Sequence, residues 1–291
     1  MRILEIPLEE KLGEGKPYLT AYLQDKMPAD PEGYRLPAVM VCPGGGYTHL
    51  SPREAEPIAL AFAAAGYQAF VLYYSLKPER YYPQPLLDAA KAMRLIRQRA
   101  EEWSVDPEKV AMCGFSAGGH LTAALSTLWD SPILIEAGLG GRQARPDAAI
   151  LGYAVVMTRD DERDPKSFGN RLLGSRIQDP ELRKAICLPQ HVTDENPPTF
   201  LWHTAEDQTV PVRNSLRMAE ALADHGVPFE LHVFPRGKHG LALANHRTDN
   251  GDPEMILPEV AQWVPRTLME LKKGAITQKM RFRNEGFENK W

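Results

Sequence analysis

Ser116 stands among small residues in Gly114-Phe115-Ser116-Ala117-Gly118, directly after the apolar run Val110-Ala111-Met112-Cys113. A strand that turns abruptly into a helix strains the backbone between them, which small neighbours tolerate, and lifts the intervening side chain clear of the sheet. The pattern predicts a nucleophilic serine, with the helix N-terminus beneath it favouring developing negative charge. A second cluster, Pro43-Gly44-Gly45-Gly46-Tyr47, follows the apolar residues 37–42. Acyl transfer generates an oxyanion, and backbone N–H groups of a glycine loop and of the residue after the nucleophile are its usual donors. Gly45, Gly46 and Ala117 are the expected donors.

A serine needs a base that reaches it from a neighbouring loop. Of eight histidines, His239 in Pro235-Arg236-Gly237-Lys238-His239-Gly240 follows a strand-like run and is flanked by glycines. His246 is the alternative, whereas His203 and His232 fall inside strand-like runs and read as core histidines. The acid that orients the base should also lie at a strand end, between serine and histidine. Asp207, just past Phe200-Leu201-Trp202-His203-Thr204, meets that requirement, with Glu206 as the neighbouring alternative. The order Ser116, Asp207, His239 differs from the orders of the chymotrypsin and subtilisin types.

The elements that must position these residues alternate. Strand-like runs at residues 39–42, 69–74, 110–113, 148–156, 199–203 and 229–234 are separated by helical segments at 54–65, 85–101, 120–128 and 213–225. A closing helix is expected at 254–271, and residues 19–23 suggest an antiparallel edge strand. This rhythm predicts an α/β fold, a mostly parallel sheet with helices on both faces. The interval 157–198 breaks it, being charged and proline-rich, and is expected to form a small cap insertion over the site. A basic tail at about 273–291 is expected to be solvated.

The 291 residues, 43% hydrophobic and 25% charged, suffice for one sizeable domain spanning 1–291. A net charge of −4 with interspersed signs gives no reason to expect nucleic acid or a membrane surface as partner. The charged start lacks a signal-peptide core, and Cys42, Cys113 and Cys187 are odd and scattered, which points to reduced thiols and a cytoplasmic protein. Neither zinc-ligand spacing nor a phosphate-binding loop is present, so neither metal nor cofactor is expected. Self-association into a homo-oligomer stays open.

With these motifs the chain resembles the α/β-hydrolase superfamily, and within it the esterases whose oxyanion loop reads His-Gly-Gly-Gly. Pro43 replaces that histidine. The variant is similar to a group of cytoplasmic bacterial acetyl-xylan esterase-like, or xylanase-like, esterases. The residues that carry the likeness are Cys42-Pro43-Gly44-Gly45-Gly46-Tyr47, Arg53-Glu54-Ala55-Glu56-Pro57 and Gly114-Phe115-Ser116-Ala117-Gly118-Gly119-His120-Leu121, within residues 39–239. The resemblance implies an α/β-hydrolase fold and hydrolysis of short acyl esters, above all acetyl groups on xylose or xylo-oligosaccharides. Tyr47, Tyr73 and Tyr74 are candidate sugar-stacking residues, and Tyr153 is another aromatic near the expected pocket; all could equally be core. A general short-chain esterase or lipase is one alternative, and a serine peptidase of the prolyl-oligopeptidase kind another. The latter usually carries a propeller domain for which this chain has no room.

Overall fold

The apolar runs become the inner strands of one sheet. The computed structural model describes residues 1–13, 15–76, 81–157 and 167–273. Among them eight strands pair: β1 (Arg2–Pro7), β2 (Tyr18–Leu23), β3 (Leu36–Cys42), β4 (Gln68–Tyr73), β5 (Val105–Phe115), β6 (Ala148–Gly152), β7 (Thr199–Thr204) and β8 (Phe229–Phe234). Their spatial order is β1-β2-β4-β3-β5-β6-β7-β8. The two pairings made by β2 are antiparallel and the remaining ones parallel, so the N-terminal strands form the expected antiparallel edge.

The described helices are α1 (Glu56–Ala64), α2 (Gln84–Gln98), α3 (Ser116–Leu128), α4 (Pro132–Glu136), α5 (Phe168–Leu173), α6 (Pro180–Ala185), α7 (Arg213–Asp224), α8 (Pro258–Ala261) and α9 (Trp263–Lys273). They cover both faces of the sheet. Leu86, Ala89, Ala90, Met93 and Ile96 of α2 share one apolar cluster with Leu121 and Leu125 of α3 and Met218 and Leu222 of α7. Ile58 and Phe62 of α1 join Trp263 of α9 in the cluster on the other face. Each Leu, Ile, Met or Phe side chain among these contributes about 1.5–3 kcal/mol on burial, which outweighs helix propensities of under about 1 kcal/mol per residue. Among the described residues no helix is long and apolar enough to cross a membrane.

α2 ends at Gln98, α3 begins at Ser116, four residues before the expected start, and three other elements differ from the sequence reading for a local reason. β5 begins at Val105 instead of Val110, because Leu36 of β3 pairs with Val105 before the register shifts across Asp106-Pro107-Glu108-Lys109. β6 ends at Gly152, four residues early, because Tyr153 adopts φ 35° and leaves the extended region. The closing helix is broken into a 3-10 turn at Pro253–Met255, then α8 and α9, since a proline such as Pro258 fits only the first turn of a helix. Cys42 and Cys113 lie buried in β3 and β5. The expected basic tail falls, from residue 274 on, outside the described residues.

Register aligns the strand ends that matter. Cys42 of β3 pairs with Gly114 of β5, Phe115 with Gly152, Gly152 with Trp202, and Thr204 with Phe234. The loops after β3, β5, β7 and β8 therefore leave the same carboxyl edge at one level, where open α/β sheets bind their ligands.

Candidate active site

Ser116 is the first residue of α3 and holds φ 52°, left-handed backbone that an L-residue adopts at a cost of about 1–3 kcal/mol. Its Oγ lies 2.9 Å from His239 Nε2, and His239 Nδ1 lies 2.6 Å from Asp207 Oδ2. Asp207 accepts at Oδ2, so Nδ1 carries the ring proton and Nε2 is left to accept from the serine hydroxyl. Asp207 Oδ1 accepts the N–H groups of Thr209 and Val210 at 2.9 and 2.8 Å. Burial pushes the Asp207 carboxyl up, but the hydrogen bonds from His203 and His239 and the N–H of Val210 outweigh it and hold the group well below the usual carboxylate range. An ionised acid, a neutral imidazole and a hydroxyl in line can take a proton from serine as its oxygen attacks an ester.

The alternatives lie elsewhere. His246 is exposed, 3.7 Å from Asp249. Glu206 accepts the N–H of Gly237 at 3.1 Å and so braces the turn that carries His239, not the imidazole.

The glycine loop is pressed onto the serine turn. A Cβ on Gly44 would lie 2.7 Å from the Phe115 carbonyl oxygen and 2.9 Å from Ser116 Cβ, so only glycine fits. Gly45 and Gly46 follow with φ 125° and 62°, and a Cβ on Gly45 would overlap the His49 carbonyl. Gly44 donates its N–H to Glu54 Oε2 at 2.7 Å. Among the described residues the N–H groups of Gly45 and Gly46 meet no acceptor of the fold, and that of Ala117, in the first turn of α3, has no intrahelical one. Gly44 thus brings the glycine loop against Ser116, and Ala117 follows the serine directly in the chain.

The BD-FAE family profile matches residues 25–222. The chain belongs to the BD-FAE family. It is 37% identical over 239 residues to endo-1,4-beta-xylanase B of Butyrivibrio fibrisolvens, a match spanning 81% of this chain and 36% of that protein. It is 30% identical over 233 residues to an acetylxylan esterase of Xylanibacter ruminicola, spanning 79% and 45%. The chain therefore spans less than half the length of these two relatives. Among solved structures, an acetyl ester-xyloside bifunctional hydrolase from Caldicellulosiruptor lactoaceticus superposes with a TM-score of 0.79 at 35% identity, over 94% of this chain and 97% of that one. A carboxylesterase from Lactobacillus plantarum does so with a TM-score of 0.84 at 29% identity, over 96% and 100%. The fold is that of the α/β hydrolases, as the motifs implied.

In this BD-FAE chain the tyrosines proposed to stack on sugar are placed otherwise. Tyr47 and Tyr74 are 2% and 3% exposed. Tyr47 donates its hydroxyl to His120 Nδ1 at 2.9 Å, and Tyr74 donates to the Pro43 carbonyl at 2.7 Å. Both brace the glycine loop from below and offer no open ring face. Tyr73 stacks on Tyr18 of β2 with ring centroids 4.5 Å apart. The apolar surface expected for substrate is in each case used by the fold.

Of the insertion expected at 157–198, residues 158–166 lie outside those described, and the rest forms α5, α6 and two 3-10 turns, Gly174–Gln178 and Leu188–His191. It packs on the site. Phe168 lies 4.6 Å from the His120 ring and 6.0 Å from Tyr47, and the Arg171 guanidinium sits so close to Gly46 that a Cβ there would overlap it. Three residues that sequence reasoning passed over also converge here: Glu54, His120 and Arg171. Glu54 and His120 lie inside the quoted motifs, close to the glycine loop and the serine, and that proximity was their only signal.

Proposed function

We propose that this chain is a serine carboxylesterase that removes short acyl groups, above all acetyl, from xylose or xylo-oligosaccharides. The observation that carries the reading is the unbroken row Ser116 Oγ, His239 Nε2, His239 Nδ1 and Asp207 Oδ2, at 2.9 and 2.6 Å. His239 takes the Ser116 proton as Oγ attacks the ester carbonyl. The oxyanion falls on the N–H groups of Gly45, Gly46 and Ala117, and Asp207 stabilises the imidazolium. His239 then protonates the departing sugar oxygen, leaving acetyl on Ser116. Water, deprotonated by the same imidazole, releases acetate and restores the serine. The steps need no cofactor.

The acetylated sugar is supported by likeness: one relative is named an acetylxylan esterase, and one solved structure an acetyl ester-xyloside hydrolase. The test is acetate release from acetylated xylo-oligosaccharides beside hydrolysis of matched acetyl and octanoyl p-nitrophenyl esters. The expected outcome is acetate release with kcat/KM highest for acetyl. A preference for octanoyl would make the protein a lipase, and cleavage of a prolyl peptide with no ester turnover would make it a peptidase.

A further inference from the structure

Three hydrogen bonds outside the catalytic row tie the glycine loop to the loop that carries His239. Glu54, 3% exposed, sits on the 3-10 turn Pro52–Glu54 behind the glycine loop. Its Oε2 accepts the N–H of Gly44 at 2.7 Å, and its Oε1 accepts the O–H of Tyr153 at 2.8 Å. The Tyr153 oxygen in turn accepts the N–H of Ala242 at 2.9 Å. The buried Tyr153 ring packs edge-on against the His239 imidazole, centroids 5.0 Å apart and planes at 72°.

The residue types suit a connector. A carboxylate accepts on two oxygens at once, whereas an amide has one accepting oxygen, and a phenol donates and accepts through one atom. Glu54 can therefore receive from both directions, and Tyr153 can pass the linkage on. Tyr153 and Ala242 also hold φ 35° and 52°, strain that persists only where the surroundings over-determine it and that clusters at functional sites. A buried carboxylate is costly unless its bonds are all made.

We infer that Glu54 and Tyr153 form a positioning brace, which fixes the separation between the oxyanion donors at Gly45 and Gly46 and the imidazole of His239 across Ser116. The inference rests on the ester-hydrolysis reading above. Oxyanion donors act by being held in place before the reaction, and a displacement of about 1 Å costs about 100-fold in rate. The brace touches no reacting atom and acts through the two loops.

The test uses Tyr153→Phe, which keeps the ring and removes the hydroxyl, and Glu54→Gln, which keeps the shape and removes one acceptor. On p-nitrophenyl acetate each is expected to lose about 10- to 100-fold in kcat, with KM within about twofold of wild type. The double variant is expected to lose no more than the worse single one, because the two act as one unit. Losses that multiply, an effect confined to KM, or a lowered Tm with kcat intact would overturn the brace. Tyr153→Phe decides, since it alters neither charge nor volume in the core. A second readout needs no substrate: the His239 Nδ1 proton, held in its short bond to Asp207, gives a downfield proton NMR signal that both variants are expected to broaden. Broadening in a protein inactive on esters keeps the brace and discards the esterase reading. Sharp, unshifted signals in both variants discard the brace.

Discussion

The Ser116, His239 and Asp207 row and the glycine loop at residues 43–47 meet across the same strand edge, yet they are held in opposite ways. The row is held chiefly from within: each side chain is fixed by the next and Asp207 by two backbone N–H groups of its own turn, with His203 beside the carboxylate and Tyr153 edge-on to the imidazole as its outer contacts. The loop is held from outside, with Tyr74 on the Pro43 carbonyl, Glu54 on the Gly44 N–H and His120 on the Tyr47 hydroxyl. The contrast follows from the proposed chemistry. A proton must pass between side chains, so those side chains must touch. An oxyanion is stabilised by backbone dipoles, which cannot hold themselves still, so other residues must hold them.

The sharpest way to break the comparison is to remove the row's first member. Ser116→Ala is expected to reduce p-nitrophenyl acetate turnover by about 10⁶-fold, by analogy with serine proteases, while circular dichroism shows an intact fold. Retention of the wild-type rate would take Ser116 out of the chemistry. Asp207→Asn comes next, with a loss of about 10⁴ in kcat as the imidazole takes the wrong tautomer. It also carries a pH signature. The folded Asp207 carboxyl titrates below its unfolded value near 3.9. The stability it contributes is full above that pH and is lost as pH falls toward the folded value. Thermal melts should therefore show wild type losing stability more steeply than Asp207→Asn below about pH 4. Parallel acid limbs would mean that the bonds to His203 and His239 add no stability.

Legibility in the sequence divided along the same line. Ser116, Asp207 and His239 could be singled out because a nucleophile elbow and strand-end turns impose local rules on glycines and small residues, and the structure brings the three into one hydrogen-bonded row. The parallel sheet was found because strands buried on both faces must be continuously apolar. For Tyr47 and Tyr74, near the loop, the choice between stacking on sugar and packing in the core stayed open, since a sequence shows an aromatic ring and not what its hydroxyl reaches. The partners of Pro43 and Gly44 come from 31 and 10 residues away, and His120 reaches the Ile186 carbonyl 66 residues on. No local pattern encodes such pairings. β6 ended early for the same reason: Val155 and Val156 are as apolar as strand residues, but they follow the positive φ of Tyr153.

His120 offers a way to sharpen the outside half. Burial lowers its pKa from 6.5 to about 4, only partly offset by its bond to the Ile186 carbonyl. Nε2 donates to that carbonyl at 3.0 Å, leaving Nδ1 to accept from Tyr47. The folded protein thus holds a neutral ring, while the unfolded chain takes up a proton as pH falls through 6.5. Stability from this residue is full above about 6.5 and declines toward pH 4, by up to about 3 kcal/mol. The Tm of wild type should fall across that window, and His120→Gln should flatten the fall. An unchanged slope would mean that the ring does not stay neutral in the fold.

The smallest expected effect separates two adjacent carboxylates within the row's own turn. Glu206 and Asp207 differ in what they hold: Asp207 bonds the imidazole, whereas the carboxylate of the exposed Glu206 accepts the Gly237 N–H, at 3.1 Å. Glu206→Gln keeps an accepting oxygen for that N–H, and a single solvent-exposed bond contributes about 1 kcal/mol or less. A loss of no more than about threefold in kcat is expected, against about 10⁴ for Asp207→Asn. Reversal of that order would make Glu206 the orienting acid, and Asp207 would be left as a turn residue whose carboxylate caps Thr209 and Val210. The row would then no longer be held from within, because its last member would lie outside the chain of contacts that defines it.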